Sequence, residues 1–349
     1  MNEVCLVHGK NIVKVAEKID FNPDFAIVYT TENLDENTVK NLKNIINCPF
    51  IGCYTEEMII NGKLKKGTGI LALKGVKAIT ETTSSPEKAG RSISILEKGS
   101  TIIFTSWMNK NISRFLRLFY NQLSYNFSYI GGCVGKYKER KSIHFTDKGI
   151  GEREGSFAGI NINMKISYDH GWDVFSGPYI ITKSFENLIC ELDGKNAIDV
   201  YCRATGCCIE DFEKCRKFHP FGFLYALGEY ILRSPINFKD ECIEMLSDLP
   251  NSSVTVVMNC EVEDILNAAE NAAMNSIAGL DNSKFALIFD CISRKEILGK
   301  LFKEEIKIFD EIIDIPYIGI LSIGEFISTE KIYIPNFHNK TVVISVGVY

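Results

Sequence analysis

A pattern that returns three times constrains this chain more than any other feature. In the first copy DFAIVYT (24–30) reads as a buried strand. ENTVKNLKNIINC (36–48) then places Val39, Leu42, Ile45 and Ile46 on one helical face, FIGCYT (50–55) is a second strand, and GTGILALKG (67–75) follows. The second copy runs TIIFTSW (101–107), NISRFLRLFYNQL (111–123) with Phe115, Leu116, Phe119 and Leu123 inward, SYIGGCVG (128–135) and SFAGININ (156–163). The third runs KFALIFDC (284–291), one or two helices over 292–313, YIGILSIGEF (317–326) and TVVISVGV (341–348). The order indicates an α/β to α+β fold: mixed β-sheets with packed helices, built from duplicated strand–helix–strand–strand units around a shared cleft. Each strand–helix–strand stretch predicts parallel neighbours joined by a right-handed crossover.

The copies share a glycine near the carboxyl end of their second strand: Gly52, the pair Gly131–Gly132, and Gly319, with Gly324 following. Ligands of open α/β sheets gather at such ends. Glycine allows positive φ and close backbone approach, and successive N–H groups can hold an anion such as a carboxylate. The same glycines also suit plain turns, and the sequence leaves both readings open. The phrase PFIGCYTEEM (49–58) returns as PYIGILSIGEF (316–326), but only the second carries Gly324–Glu325 where the first has Glu57–Met58.

A net charge of −5 argues against a general nucleic-acid or anionic-membrane partner. No apolar run is long enough to span a bilayer, and MNEVCLVHGK lacks the build of a signal peptide, so a cytoplasmic protein is expected. On that basis the 12 cysteines read as small buried hydrophobes, not a disulfide framework.

These residues resemble the FIST family, a sensory domain of signalling proteins. Gly52-Cys53-Tyr54-Thr55-Glu56-Glu57-Met58 and Ile130-Gly131-Gly132 are similar to the turn and glycine strand of its N-terminal part. ITKSFENLICELDGKNAIDVY (181–201) resembles its central thread, and HPFGF (219–223) the opening of its C-terminal part. FDCISRKEILG (289–299), GILSIGEF (319–326) and HNKT (338–341) resemble three C-terminal motifs. Departures fall in the first half: Glu57–Met58 stands where the family has Gly-Glu, and Lys136 lies near a usual acidic position. The resemblance divides the chain into an N-terminal domain over 1–218 and a C-terminal domain over 219–349, whereas the repeats suggest halves meeting near Asp169. It implies a stand-alone ligand-sensing protein that binds a small molecule, an amino acid among the candidates. With no length left for an output domain, it would signal through a partner protein in trans, and a homo-oligomer is compatible. The family also implies an alternative, a haem-based nitric oxide sensor with His338 or His219 as axial ligand.

Candidate ligand-binding residues follow from the motifs and their chemistry. Arg294 can clamp a carboxylate, Asp290 or Glu325 can receive an ammonium, and Cys291, His338 and Asn339 lie beside them in the motifs. Gly319 and Gly324 join this set, with Gly52, Cys53, Thr55, Gly131 and Gly132 from the first half. The competing reading makes Asp290 or Ser293 a helix cap and Arg294 a solvated side chain. Cys202, Cys207, Cys208 and Cys215, with His219, crowd one window that reads as helix; a cysteine-ligated zinc, iron–sulfur or redox centre is the alternative there, and idle thiols the default. No Gly-x-Ser-x-Gly elbow or phosphate-binding loop is present, which places catalysis behind binding.

Overall fold

The structure is a computed structural model that describes residues 3–225, 228–249, 254–329 and 333–348. Its content is mixed α/β, arranged as four sheets. The first stretch supplies β1 (Val4–Gly9), α1 (Ile12–Ala16), β2 (Phe25–Thr30), α2 (Glu36–Ile46), β3 (Phe50–Tyr54), β4 (Met58–Ile60), β5 (Lys63–Lys65) and β6 (Thr68–Leu73). The second supplies β7 (Ala78–Thr83), α3 (Pro86–Ile93), β8 (Gly99–Ser106), α4 (Ile112–Leu123), β9 (Phe127–Val134), β10 (His144–Thr146), β11 (Gly149–Gly151) and β12 (Gly155–Ile160). A third begins at β13 (Asn163–Asp169) and is interrupted by an insertion. That insertion holds β14 (Asp173–Phe185), β15 (Leu188–Leu192), β16 (Lys195–Asn196), α5 (Ala197–Thr205), α6 (Phe212–Phe218), β17 (Phe221–Leu224), β18 (Tyr230–Arg233), β19 (Pro235–Lys239), β20 (Cys242–Met245) and β21 (Val254–Asn259). The third stretch resumes with α7 (Val262–Ile277), β22 (Ser283–Cys291), α8 (Ile292–Leu298), α9 (Phe302–Ile312), β23 (Tyr317–Ser322), β24 (Glu325–Ile327), β25 (Asn336–His338) and β26 (Val342–Val348).

Three sheets follow one plan, in the orders β1-β6-β2-β3-β10-β11, β7-β12-β8-β9-β24-β25 and β13-β26-β22-β23-β4-β5. In each, the pair flanking a helix is parallel (β2–β3, β8–β9, β22–β23) and the outer strands are antiparallel. The hairpin of each stretch completes a neighbour's sheet. β4–β5 docks on β23, β10–β11 on β3, and β24–β25 on β9. The recurring glycine marks that docking: Gly52 faces Phe145, Gly131 faces Phe326, and Gly319 faces Ile59. A Cβ on Gly52 would strike the Phe145 ring and the Val28 carbonyl; one on Gly131, at φ +140°, would strike the Ile103 carbonyl. Glycine is required here because an exchanged hairpin and a parallel neighbour press on one strand from both sides.

The inward faces of these sheets close on an apolar core, and this corrects the expected cleft between repeats. Tyr29, Phe104 and Phe289 come from β2, β8 and β22, one per sheet, and all are fully buried. Phe104 lies 6.0 Å from the Tyr29 ring and 6.2 Å from that of Phe289. Large apolar side chains aimed at one point from three sheets leave no room for a solvated cavity. The helices cover the outer faces. Phe115, Leu116, Phe119 and Leu123 of α4 are buried as the spacing predicts; on α2, Val39, Leu42 and Ile46 are buried but Ile45 turns out to water.

The insertion forms the fourth sheet, ordered β18-β17-β21-β14-β15-β20-β19 with β16 on β15. Asp169 marks its entrance, and His219 falls inside it. Two disulfides correct the expectation of thiols throughout: Cys190–Cys242, across the adjacent strands β15 and β20, and Cys207–Cys215. The cysteine window is not one helix either, because α5 stops at left-handed Gly206 and α6 starts at Phe212. Among the described residues, no helix is long and apolar enough to cross a membrane.

Phe104 touches both of its symmetry-related partners, so Phe104→Ala should cost about 3–5 kcal/mol. Urea unfolding followed by tyrosine fluorescence and circular dichroism will show this as one lowered transition, coincident in both signals, if the three sheets melt together.

Candidate functional site

The C-terminal motif residues converge on a buried charge cluster. Asp290 ends β22, Arg294 lies one turn into α8, Glu305 projects from α9, and Glu325 opens β24; all four are fully buried. Arg294 Nε and Nη2 donate to Glu305 Oε1 at 2.8 and 2.6 Å. Nη1 donates to the carbonyls of His170 (2.9 Å) and Lys340 (3.4 Å), and Nη2 also to that of Ile265 (2.8 Å). Asp290 Oδ1 stands 3.4 Å from Arg294 Nε. The guanidinium is thus engaged on all sides by protein groups, which makes it a tie between α7, α8, α9 and the segment entering the fourth sheet. The helix-cap alternative is not what forms: Cys291, not Asp290 or Ser293, is the N-cap residue of α8, Ser293 Oγ donates to its sulfur at 3.2 Å, and Arg294 is buried.

One cation faces three acids in this cluster. Burial pushes Asp290 well above the usual carboxylate range, repulsion from Glu305 adds to it, and neither Asp290 oxygen has a hydrogen-bond partner. Burial raises Glu325 to about 8, opposed by the Ser322 hydroxyl that donates to Oε1 at 2.6 Å. Burial also raises Glu305, against the pull of Arg294. Arg294 itself resists burial because Glu305 and Asp290 hold its proton. Arg294 gives its hydrogen bonds to Glu305 and none to Asp290, so burial opposes the charge of Asp290 with the least compensation. Burial lifts Cys291 to about 12, which keeps it a thiol.

The remaining predicted residues have structural partners. Gly52, Gly131 and Gly319 lie under exchanged hairpins. Gly132 lies against the carbonyl of Gly324, whose own φ is +105° under the Phe337 ring. Cys53 is fully buried in β3, and Thr55 donates to the carbonyls of Glu57 and Leu321. Asn339 accepts from the Ser234 N–H at 2.9 Å and is buried. Met58, His144 and Glu325 occupy one register position, the first residue of each exchanged hairpin. Glu57, which departs from the family's turn, pairs with Lys295 of α8.

Cys207 and Cys215 are bonded to each other, and among the described residues no three His, Cys, Asp or Glu side chains converge as a metal site. His219 Nδ1 lies 3.1 Å from the Met258 carbonyl, and its ring sits 5.2 Å from that of Phe175. His338 borders a cavity of about 10 Å³.

A groove that sequence reasoning missed runs beside β13. Its volume is about 800 Å³. One wall is β13 and the turn through His170 and Trp172; the other is the start of β9 with Tyr230, Ser328 and Tyr333. Three carboxylates border it: Asp169, Asp173 and Glu229. Trp172 is nearly buried, with its indole N–H on the Phe218 carbonyl at 2.9 Å, and Lys340 Nζ lies 5.4 Å from its ring centroid. A smaller cavity, the one beside His338, shares Tyr168, Glu229, Tyr230, Ser328 and Thr329 with the groove. His338 is the one predicted residue that reaches either space. The signal available in sequence was the aromatic and acidic run SYDHGWD (167–173).

Family models for a FIST N domain and a FIST C domain match residues 24–195 and 197–328. The chain belongs to the FIST family. FIST domains are associated with sensory signal transduction. Comparison with curated proteins gives no match. The two FIST segments meet at the start of α5, within the fourth sheet, and the third sheet takes β4 and β13 from one and β22 and β23 from the other.

Arg294→Met leaves Glu305 buried without its partner and should destabilise the FIST fold by about 3–5 kcal/mol; adding Glu305→Leu should recover much of that loss. Chemical denaturation of both single variants and the double variant measures the cycle. Glu325 holds its proton more tightly when folded than in the unfolded chain, where it titrates near 4.5. Its contribution is therefore complete below that pH and declines between about 4.5 and 8, by at most about 1.4 kcal/mol per pH unit. Glu325→Gln should flatten stability against pH across this window.

Proposed function

We propose that this FIST protein is a sensor that binds a small molecule, an amino acid or a related amine, in the groove beside β13, and passes occupancy on through a change in the buried charge cluster. The observation that carries the reading is the continuity between groove and charge cluster. His170 lines the groove, and its carbonyl is held by Arg294. A ligand that shifts the turn from Asp169 to Trp172 therefore acts on the guanidinium that also holds Glu305 and the Ile265 carbonyl. The volume is ample for a molecule of amino-acid size, and aromatic walls with a few polar groups are typical of ligand sites.

The test is a thermal-shift screen of amino acids and amines on protein denatured, freed of bound molecules and refolded. A ligand at 100 times its Kd adds about 2.7 kcal/mol of stability. Tyr125 and Tyr333 border the groove, 69% and 51% exposed, with rings 6.3 Å apart. Tyr125→Ala with Tyr333→Ala should weaken the hit about fivefold or more and leave the ligand-free Tm unchanged. An unaltered affinity moves the site elsewhere, and a screen with no shift removes the sensor reading.

A further inference from the structure

The groove follows one strand along its whole length. Every residue of β13, from Asn163 to Asp169, borders it. Their side chains alternate between two faces. Lys165 and Asp169 turn toward α7, where they meet the Ala278 carbonyl and Asn271, while Met164 packs into the central core. A space that touches each residue of such a strand lies along its edge and on neither face.

That edge is the outermost of the third sheet, and among the described residues β13 has one strand neighbour, β26. In an antiparallel pair the main-chain groups of successive residues point to opposite sides. The Met164 N–H points away from β26, since it donates to the Ser100 hydroxyl at 2.8 Å. By the same alternation the N–H and C=O of Ile166 and of Tyr168 point away from β26 as well, to the side of the groove. An open strand edge is a template for another chain. β7, the corresponding edge of the second sheet, is tied to the β10–β11 hairpin through Thr82, whose hydroxyl lies 3.0 Å from that of Thr146 and 3.2 Å from the Gly149 carbonyl. β13 carries no proline, and its pairing with β26 runs from end to end without a register shift. Its edge is therefore regular enough to accept a further strand.

Charge is uneven along this edge. Asp169, Asp173 and Glu229 gather around His170 at the carboxyl end of β13, and all three favour the charged form of its imidazole. Lys165 lies nearer the start, with its ammonium on the Ala278 carbonyl. Phe127 and Tyr230 on the facing wall offer apolar surface.

We infer that β13 is a docking strand for a short peptide, which lies extended in the groove, pairs main chain to main chain with Ile166 and Tyr168, and places a lysine or arginine among Asp169, Asp173 and Glu229. Main-chain pairing supplies affinity across varied sequences, and the acidic end supplies register and preference. A strand of this length covers about 23 Å, which suits a peptide of roughly five to seven residues. The inference rests on the reading of the groove as the ligand site and extends the ligand from an amino acid to a peptide.

A library of hexapeptides, each with one lysine, tests it by fluorescence polarisation on the refolded full chain. The peptides are acetylated and amidated, so binding cannot come from a terminal ammonium or carboxylate. The tightest binder is then remade with N-methyl groups on alternate residues, in either phase. One phase should lose about tenfold or more in affinity and the other stay within about twofold, because only every second N–H of an added strand faces β13. Hydrogen exchange over residues 163–169 should slow when the peptide is bound. Asp173 and Glu229 are exposed, so Asp173→Asn with Glu229→Gln should keep the ligand-free Tm while weakening the peptide about fivefold or more. Two phases that weaken alike, or unchanged exchange over 163–169 with peptide bound, overturn the strand pairing. Affinity unchanged in the double variant overturns the acidic seat. Binding of free amino acids or amines but of no peptide overturns the peptide inference and leaves the ligand reading standing. No binding by any of these overturns both.

Discussion

Everything else in this fold depends on the exchange of hairpins. Each of three sheets is finished by strands that belong, in sequence, to a neighbouring stretch, and the exchange closes into a ring. A sheet lacking its foreign hairpin would expose the edge of β3, β9 or β23 and half of a glycine-lined contact. No stretch can leave without opening two sheets. The aromatic trio of Tyr29, Phe104 and Phe289 is the apolar counterpart of that ring, since it forms only where all three sheets face one another.

The groove arises where the threefold plan is broken. In the first two stretches the opening strand runs promptly into a short helix, α1 or α3. In the third, the chain leaves β13 at Asp169 and builds a whole sheet before returning through α7. The departing turn, the start of β9 and residues around Tyr230 border that groove. Arg294 sits behind this break and binds the turn to α7 and α9 through its carbonyl and carboxylate contacts. A buried ion pair contributes little net stability compared with apolar packing, and its directional bonds make it better suited to fixing relative positions.

Much of the architecture was legible in sequence. β-branched runs and the 3.6-residue spacing located many of the strands and α4, and with them the mixed α/β class. The strand–helix–strand stretches do give parallel neighbours. The destination of the hairpins was not legible, because Met58–Ile60 and Glu325–Ile327 pair by shape with strands far away in sequence. For the same reason the glycines were read as turn or ligand elements when their backbone lies under a foreign strand. Asp290, Arg294 and Glu325 lie in one buried cluster, and Glu305, the acid that engages the guanidinium, sits on a helix face that reads as solvated in sequence. The groove escaped notice because it is assembled from an edge strand, a turn and two distant loops. The disulfides escaped because Cys190 and Cys242 meet only through the pairing of β15 with β20.

The exchange has a consequence for the birth of the molecule. Ile59 pairs with Gly319, so the first hairpin to leave the ribosome waits for nearly the last strand to be made. At translation speeds of about 5–20 residues per second, that delay is on the order of tens of seconds. Throughout it the apolar edge of Met58, Ile59 and Ile60 has no native partner, a state that invites pairing with other nascent chains. Strands β2, β3 and β6 can assemble early, but the ring closes only after synthesis is nearly complete. Truncation near the C-terminal strands would leave the β4–β5 hairpin of the first stretch without β23 and the edge of β9 in the second sheet uncovered.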